Sequence, residues 1–348
     1  MRRVGFGLVG YGAWGSHHAR AISQCPRARL VAIADCGEQA RRQAHETHPD
    51  AEIVADYRRL LSLPEVEVVD IVLPNDLHHE AGRSVLESGR HLLMEKPMAL
   101  STAQCNDLLE NARERGLRLC VTHQFRFSCM WRQIKDLIDA GSIGDPRYVN
   151  IELWRNPYRQ GSQGWRYDIA RVGNWILEEP IHFFDLARWY LAKWGDPVSV
   201  YARASARRTE CPELQDNFAA IMNFPDGRFA VISQTLSAYE HHLTLKVTGS
   251  QGAIWGVWGG VMDRTWNPTF VLKHFDGQVT REVPLTKPTG EVFELSDQIA
   301  DVAEAIGDGR PPSVTGEDGG WAVAMCLKAQ ESVDTGAVVA LHQGKRKR

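Results

Sequence analysis

Three glycines near the start of the chain have the spacing of a phosphate-binding turn. Gly10, Gly12 and Gly15 form a G-x-G-x-x-G pattern between the apolar run Val4 to Val9 and a segment of helical pattern. The first glycine permits a tight turn, the second lets the backbone approach a pyrophosphate, and the third lets the helix pack close to the strand. The helix N-terminus offers N–H donors to the phosphates. We therefore predict a dinucleotide site rather than a glycine turn without a ligand. The loop residues predicted to bind the cofactor are Gly10, Tyr11, Gly12, Ala13, Trp14 and Gly15.

An acidic residue ends the next apolar run. Asp35 follows Leu30 to Ala34, about 20 residues after the glycines, where a carboxylate bonds the ribose hydroxyls of a dinucleotide. A carboxylate there repels a 2′-phosphate, so NAD is favoured over NADP. Arg41 and Arg42 have the pattern of a solvated helix face. The alternative interpretation of Asp35 is a turn residue at the end of a strand.

Polar residues also follow the later strand-like runs of this region. Ligands of doubly wound sheets lie beyond the carboxyl ends of the strands, which makes these residues candidates for cofactor binding. They are Pro74, Asn75, His78, Glu95, Lys96 and Gln124. Lys96 is also the candidate catalytic group that exchanges a proton with an alcohol, and the alternative is a salt bridge at a strand end. Glu95 would pair with Lys96 or bond the cofactor ribose.

A second cluster of reactive types lies in an apolar and aromatic run. Glu178 and Glu179 precede Pro180, with His182 and Asp185 behind it. Proline is best placed in the first turn of a helix, so Glu178 would lie at the helix entrance. We predict that His182 exchanges the substrate proton and that Glu178 orients a hydroxyl. The alternatives are a core histidine bonded to backbone and, for Asp185, an ion pair with a neighbouring arginine.

The segment from residue 155 to residue 173 is dense in arginine and aromatic residues. Tryptophan and tyrosine faces can stack on sugars, and arginines can pair with a carboxylate or phosphate. The pattern favours a polyhydroxylated ring substrate, with an aromatic or acidic group as an option. The alternatives are packing against a sheet or an oligomer interface and, for Arg126, an ion pair between domains. The candidate substrate-binding residues are Arg126, Arg155, Tyr158, Trp165, Arg166, Glu179 and Asp185.

The elements that must position these residues change character along the chain. Residues 1–123 alternate strand and helix patterns, which predicts an α/β domain with a doubly wound parallel sheet of the Rossmann type. Residues 124–340 predict an α+β domain for substrate binding and oligomerisation, with an open and mostly antiparallel sheet. Asp226 and Gly227 mark a hairpin turn there. Residues 341–348 form a basic tail.

Composition limits the classes of partner. The chain has 348 residues, and its net charge of −3 gives no basic field for nucleic acid. It lacks the long apolar run of a membrane span and leaves no room for a signal peptide before the first strand. The seven cysteines are scattered without a C-x-x-C pair, which favours a cytoplasmic protein with no metal site.

The chain resembles the Gfo/Idh/MocA oxidoreductases, the family of glucose-fructose oxidoreductase and inositol dehydrogenase. The matching segments are residues 9–15, 74–78, 89–97, 178–185 and 314–319. The resemblance implies a nicotinamide-binding Rossmann domain and an open sheet whose outer face forms homodimers or homotetramers. Glu178 stands where the family usually has aspartate, and Pro180 stands where it has glycine. These departures affect the expected substrate more than the expected reaction.

The resemblance implies hydride transfer between NAD(P) and a secondary alcohol or ketone of a small sugar, polyol or related ring molecule. One alternative is an enzyme with transient redox, which cleaves a glycoside or inverts a centre and returns the hydride. Another is an aromatic or dihydrodiol dehydrogenase of the same family. A cofactor sensor without catalysis would need neither Lys96 nor His182.

Overall fold

The computed structural model describes residues 2–341, which form two compact units. The first unit comprises residues 2–124, 170–173 and 292–323, and the second comprises residues 125–169, 174–291 and 324–341. The first unit thus contains residues 170–173 and 292–323, which the predicted boundary assigns to the second domain. The division into 1–123 and 124–340 stays a prediction. Apart from Leu341, the predicted basic tail lies outside the described residues.

A six-stranded sheet organises the first unit. Its strands are β1 (Val4–Val9), β2 (Ala28–Ala34), β3 (Glu52–Val54), β4 (Val68–Ile71), β5 (His91–Met94) and β6 (Leu119–Val121). The helices between them are α1 (Gly15–Gln24), α2 (Glu38–Thr47), α3 (Tyr57–Leu60), α4 (His78–Glu87) and α5 (Thr102–Glu114). The order is β3-β2-β1-β4-β5-β6 with all pairs parallel, which confirms the predicted doubly wound sheet. The strand order reverses between β1 and β4, and ligands of such sheets bind at that point.

The second unit is built on a nine-stranded sheet. Its strands are β7 (Pro146–Arg155), β8 (Ser199–Ser205), β9 (Asn217–Asn223), β10 (Phe229–Thr235), β11 (His241–Gly249), β12 (Ala253–Gly260), β13 (Thr269–Phe275), β14 (Thr280–Glu282) and β15 (Val339–Ala340). The order is β14-β13-β12-β11-β7-β10-β9-β8-β15. Only β7 and β10 run parallel within it. The predicted open, mostly antiparallel sheet is therefore confirmed.

Alternation of side chains gives this sheet one covered face. In β7 the buried residues Val149, Ile151 and Leu153 alternate with more exposed ones, which is the period of a strand with one face toward a core. The helices of this part of the chain are α6 (Cys129–Asp139), α7 (Ile169–Val172) and α8 (Pro180–Leu191). Tyr190 Oη donates to the carbonyl of Trp131 at 2.9 Å, which ties α8 to α6 on the covered face.

The hairpin between β9 and β10 has the predicted turn. Asp226 and Gly227 have φ values of 58° and 73°. Positive φ at both central residues is typical of the tight turn whose twist matches paired strands, and Asp-Gly is a preferred sequence for it.

One late helix and the beginning of another complete the first unit. Helix α9 (Glu291–Asp308) buries a row of apolar residues in the core that contains Val4, Phe6 and Ile22. That row comprises Leu295, Ile299, Val302 and Ala303. Helix α10 (Gly316–Thr335) begins with a reciprocal cap, in which Thr315 Oγ1 accepts from the N–H of Asp318 and an Asp318 oxygen accepts from the N–H of Thr315.

Across residues 2–341, no helix combines the length and the apolar composition needed to cross a membrane.

Candidate active site

The turn after β1 has the geometry of a pyrophosphate cradle. Gly10 has φ +97°, and a Cβ at Gly10 would lie 2.2 Å from the carbonyl oxygen of Val72. A Cβ at Gly15 would lie 2.0 Å from the carbonyl oxygen of Gly10, so both positions require glycine. At Gly12 a Cβ would meet no atom within 4 Å. Helix α1 begins here without a side-chain cap, and its Ser16 N–H already donates to the carbonyl of Gly12 at 3.0 Å. These features fit a bound pyrophosphate.

Asp35 lies beside this turn at the end of β2. Its Oδ2 accepts from the N–H of Tyr11 at 2.7 Å, and its Oδ1 accepts from the N–H of Gly37 at 2.7 Å. An ionised carboxylate has about four acceptor sites, so ribose hydroxyls can still be bound. Arg41 Nη1 donates to the carbonyls of Asp35 and Cys36 at 2.9 and 2.8 Å, which places one guanidinium close to the same edge.

Replacing Asp35 with serine and Cys36 with arginine should shift cofactor preference toward NADP. The change removes a carboxylate that repels a 2′-phosphate and supplies a cation that can pair with it. A charge-assisted hydrogen bond corresponds to about 10- to 100-fold in the ratio of kcat/KM for the two cofactors. The single variant Cys36→Ser is the control and should keep the native ratio. A native preference for NADP would show that our interpretation of Asp35 is wrong.

Two of the predicted cofactor residues are bonded to backbone. His78 begins α4, and its Nδ1 and Nε2 lie 2.6 and 2.9 Å from the carbonyl oxygens of Pro97 and Leu73. Asn75 Nδ2 donates to the carbonyl of Val172 at 3.1 Å. Both ring nitrogens of His78 therefore contact carbonyl groups, one of them in the Glu95–Pro97 turn. Its contact with the cofactor stays a prediction.

Gln124 offers an acceptor at the end of the first unit. Its side chain is buried, and its Oε1 has no hydrogen-bond partner within residues 2–341. A buried acceptor without a partner costs free energy unless a ligand or water satisfies it. Gln124 is thus compatible with its predicted place beside the cofactor, while Pro74 is half-buried at the end of the same edge.

The turn after β5 carries a buried carboxylate next to Lys96. Glu95 Oε1 accepts from Trp14 Nε1 at 2.9 Å and lies 3.1 Å from His18 Nε2, while its Oε2 accepts from the N–H of Lys96 at 3.1 Å. Burial alone raises the pKa of Glu95, but His18 and Lys96 outweigh it and lower the pKa to about 2. Lys96 itself is half-buried. The first unit therefore brings the glycine turn, Asp35 and the Glu95–Lys96 turn together at one sheet edge.

The second unit places His182 on the first turn of α8. Its ring is buried and stacks on Phe125, with centroids 4.8 Å apart. Pro180 starts the helix, as predicted, and Glu179 precedes it. On the same face, Asp185 accepts from Arg126 Nε at 2.8 Å and Nη2 at 2.5 Å. This bidentate pair lies within one unit rather than between domains. Because the two charges satisfy each other, we leave Arg126 and Asp185 out of the proposed substrate contacts.

Both glutamates at the entrance to α8 are paired with arginines. Glu178 Oε2 accepts from Arg166 Nε at 2.7 Å. Glu179 Oε2 accepts from Arg155 Nη1, and Arg155 Nη2 donates to Asp263 Oδ2 at 3.3 Å. Arg155 is the last residue of β7, and its guanidinium lies at the entrance to α8. From the sequence we predicted that Arg155 and Arg166 can pair with a substrate carboxylate or phosphate. In the structure both arginines pair with carboxylates of this chain.

Two aromatic candidates pack beside these pairs. Tyr158 is buried and donates from its hydroxyl to Gln234 Oε1 at 2.9 Å. Arg166 lies over the ring of Trp165, with the guanidinium carbon 4.6 Å from the ring centroid. The ring of Trp165 therefore packs against Arg166, and the hydroxyl of Tyr158 is bonded to Gln234.

His241 and Asp263 join this cluster and were not predicted. His241 opens β11 directly opposite Arg155, and its Nε2 lies 3.7 Å from Glu179 Oε1. Burial lowers the pKa of His241 to about 4, so the ring is neutral near pH 7. Arg155 and other nearby arginines outweigh burial at Asp263 and lower its pKa to about 2. The pairing of β7 with β11 brings His241 opposite Arg155, and no local pattern in the sequence predicts that register. Asp263 follows β12 in the chain.

Comparisons with known proteins agree with this architecture. The family model described as "Oxidoreductase family, NAD-binding Rossmann fold" (GFO_IDH_MocA) matches residues 4–123, and the Gfo/Idh/MocA C-terminal domain matches residues 131–255. Myo-inositol 2-dehydrogenase of Thermotoga maritima is 26% identical over 97% of this chain and 98% of its own length.

Two solved structures share the fold. Aldose-aldose oxidoreductase from Caulobacter crescentus, crystallised with glycerol, has a TM-score of 0.86 at 21% identity, covering 98% of this chain and 100% of that chain. The WlbA dehydrogenase from Bordetella pertussis, crystallised with NADH and UDP-GlcNAcA, has a TM-score of 0.81 at 23% identity, covering 99% and 100%. Because family models match its N-terminal and its C-terminal part, this chain belongs to the Gfo/Idh/MocA family and is an NAD(P)-dependent oxidoreductase with an NAD-binding Rossmann fold.

Proposed function

We propose that the protein transfers a hydride between NAD and a secondary alcohol or ketone of a neutral, polyhydroxylated ring molecule. The observation that carries this proposal is the charge balance around the entrance to α8. There His182 and Glu178 lie among ion pairs whose charges balance, which leaves no net positive charge for a substrate anion. The similarity to myo-inositol 2-dehydrogenase supports the same substrate class.

The proposed roles follow from residue chemistry. NAD, when bound, accepts or returns the hydride. The glycine turn would hold the pyrophosphate through backbone N–H groups, and Asp35 would accept from the ribose hydroxyls. In the first unit, Lys96 is the group assigned to proton exchange with the reacting hydroxyl. In the second unit, His182 is the candidate for proton exchange and Glu178, paired with Arg166, is the candidate acceptor for a substrate hydroxyl.

Charge balance argues for a neutral substrate. The cluster holds three arginines and three carboxylates, each within an ion pair. They are Arg155, Arg159 and Arg166 with Glu178, Glu179 and Asp263. A substrate carboxylate that captured the buried Arg155 would leave a buried glutamate unpaired. Breaking one partner of such a pair costs about 3–5 kcal/mol. Hydroxyl groups instead can donate to the carboxylates without displacing any cation.

A panel of inositols, aldoses and polyols, tested beside their uronic and aldonic acids, checks the proposal. The purified enzyme with NAD should form NADH with at least one neutral member and turn over the matched acid about 10²- to 10³-fold less efficiently or worse, as expected for an unpaired buried charge. Preference for the acid would contradict the neutral-substrate proposal. Conversion of a glycoside or epimer without net NADH would favour the transient-redox alternative.

We also propose that the outer face of the nine-stranded sheet forms the contact of a homodimer or homotetramer. This face exposes large apolar side chains, and the rings of Tyr148 and Phe229 lie 4.9 Å apart on it. Exposed members include Trp154, Ile221, Phe229 and Trp255. A patch of this kind is typical of a protein interface. Sedimentation of the unmodified protein and of Ile221→Lys tests it, because a charge at the centre of an interface should shift the protein toward monomer.

A further inference from the structure

A buried histidine on α1 joins two buried carboxylates beneath the cofactor edge. His18 and Asp70 have no solvent exposure, and Glu95 is 5% exposed. His18 Nδ1 lies 2.7 Å from Asp70 Oδ2, and His18 Nε2 lies 3.1 Å from Glu95 Oε1. The other oxygen of Asp70 has no hydrogen-bond partner within residues 2–341, so His18 is the group that satisfies this carboxylate.

The two contacts indicate the protonation state of the ring. Ionised carboxylates only accept hydrogen bonds, so with Asp70 and Glu95 both ionised the two ring nitrogens of His18 each carry a proton. The ring is then an imidazolium between two carboxylates. Burial raises the pKa of Asp70, and the charge and hydrogen bond of His18 oppose that shift. Burial alone lowers the pKa of His18, but the charge and hydrogen bond of Asp70, followed by those of Glu95, raise it to about 9.

The same network reaches both elements that surround the cofactor edge. The Oε1 of Glu95 that faces His18 also accepts from the indole of Trp14, which belongs to the glycine turn. The Oε2 of Glu95 accepts from the backbone N–H of Lys96. The ring of Trp14 packs edge-on against His18, with centroids 5.5 Å apart. One carboxylate therefore links the glycine turn to the Lys96 turn, and His18 orients that carboxylate.

We propose that His18 is a positioning residue that, through Glu95, holds the glycine turn and the Lys96 turn in the arrangement that binds the nicotinamide cofactor. His18 is buried below the turn and acts through Trp14 and Glu95. The part of the proposal that concerns turnover depends on the proposed role of Lys96. The part that concerns NADH binding does not depend on that role.

The charged and titratable groups around His18 come from each neighbouring strand. Asp70 lies on β4, and Glu95 and Lys96 follow β5. Cys120 on β6 lies in the same cross-strand row as Asp70, and burial raises the pKa of its thiol, so it stays neutral. His17, on the same helix, contacts Trp14 at 5.3 Å between ring centroids.

The first experiment compares His18→Ala with His79→Ala. His79 pairs with Asp107 at 2.8 Å in the same unit and lies outside the network, so it is a matched histidine–aspartate control. NADH affinity, measured by fluorescence, should fall in the His18 variant and stay unchanged in the His79 variant. Because small misplacements of a reacting group cost on the order of 10²-fold, kcat/KM for NAD should fall by that order as well. Equal NADH affinity in both folded variants would overturn the proposal.

The second experiment needs no substitution at His18, which keeps the test decisive if His18→Ala does not fold. A histidine whose pKa is raised from 6.5 to about 9 keeps its favourable contribution at low pH and loses it as pH rises through about 9. NADH affinity of the unmodified protein should therefore weaken across that range, and ¹⁵N-labelled His18 should lose a proton with the same midpoint. In Asp70→Asn both midpoints should move to lower pH. A ring that is neutral at pH 7, or an affinity that is flat through that range, would overturn the proposal. A failure of the proposed substrate class would leave both binding results unchanged.

Discussion

Replacing Lys96 with alanine should abolish turnover while NADH still binds. Lys96 lies on the turn after β5, where the carboxyl end of the sheet faces the cofactor position, and its ammonium is the group we assign to proton exchange. General acid–base groups contribute about 10²- to 10⁴-fold to rate, so kcat should fall by that range. Steady-state kinetics with a neutral substrate from the panel, together with NADH fluorescence titration, measure both effects.

Lys328→Ala is a suitable control for this variant. Lys328 is exposed on α10 and pairs with Glu331 at 2.6 Å, so its removal should change neither rate nor NADH affinity. A loss smaller than about tenfold in Lys96→Ala would assign Lys96 to a structural salt bridge instead.

His182 and Glu178 should act on one substrate hydroxyl. His182→Ala should lower kcat strongly, because proton transfer is made only in the transition state. Glu178→Gln should be milder, because the amide keeps the size and one acceptor, although it leaves Arg166 without its carboxylate partner. Glu178→Asp should also be impaired, since the longer side chain matches the position of this substrate. A double-mutant cycle measured on kcat/KM should show a combined loss smaller than the sum of the two single losses.

His242→Ala provides the matched histidine control for that cycle. His242 follows His241 in β11, is 41% exposed and lies 3.1 Å from Glu240. Its replacement should leave kcat/KM unchanged. Full additivity of the His182 and Glu178 effects would give the two residues separate roles and would leave Glu178 as a residue of the helix entrance, paired with Arg166.

The first sheet was predictable because its strands carry strong local signals. Strands such as β1 and β4 are buried on both faces, so they are nearly continuous apolar runs. Ser101 caps α5 by accepting from the N–H of Gln104 at 3.2 Å, and a serine before an apolar helical pattern is a local start signal. Strand β14 was missed because all three of its residues are exposed, which removes the apolar alternation. Strand β15 has only two residues.

The candidate site was predictable only in part, for a related reason. Residue type and turn chemistry identified Lys96, Glu178 and His182 as candidates, and Pro180 located the helix entrance. The partners could not be deduced, because each pair joins residues far apart in sequence. Arg155 meets Glu179 and His241 through strand register, and His18 meets Asp70 through the packing of α1 on the sheet. Register and packing depend on the whole chain, so no local pattern encodes them.

The contribution of α9 to the first unit has a consequence for how the chain is made. The six strands of the first sheet leave the ribosome early, whereas Leu295, Ile299 and Val302 are synthesised near the end. Until then the apolar surface around Val4 and Phe6 lacks the helix that buries it in the finished protein. The first sheet therefore lacks part of its cover while nearly all of the second unit is synthesised. From this order of synthesis we expect chains that stop before residue 291 to aggregate more readily than the full chain.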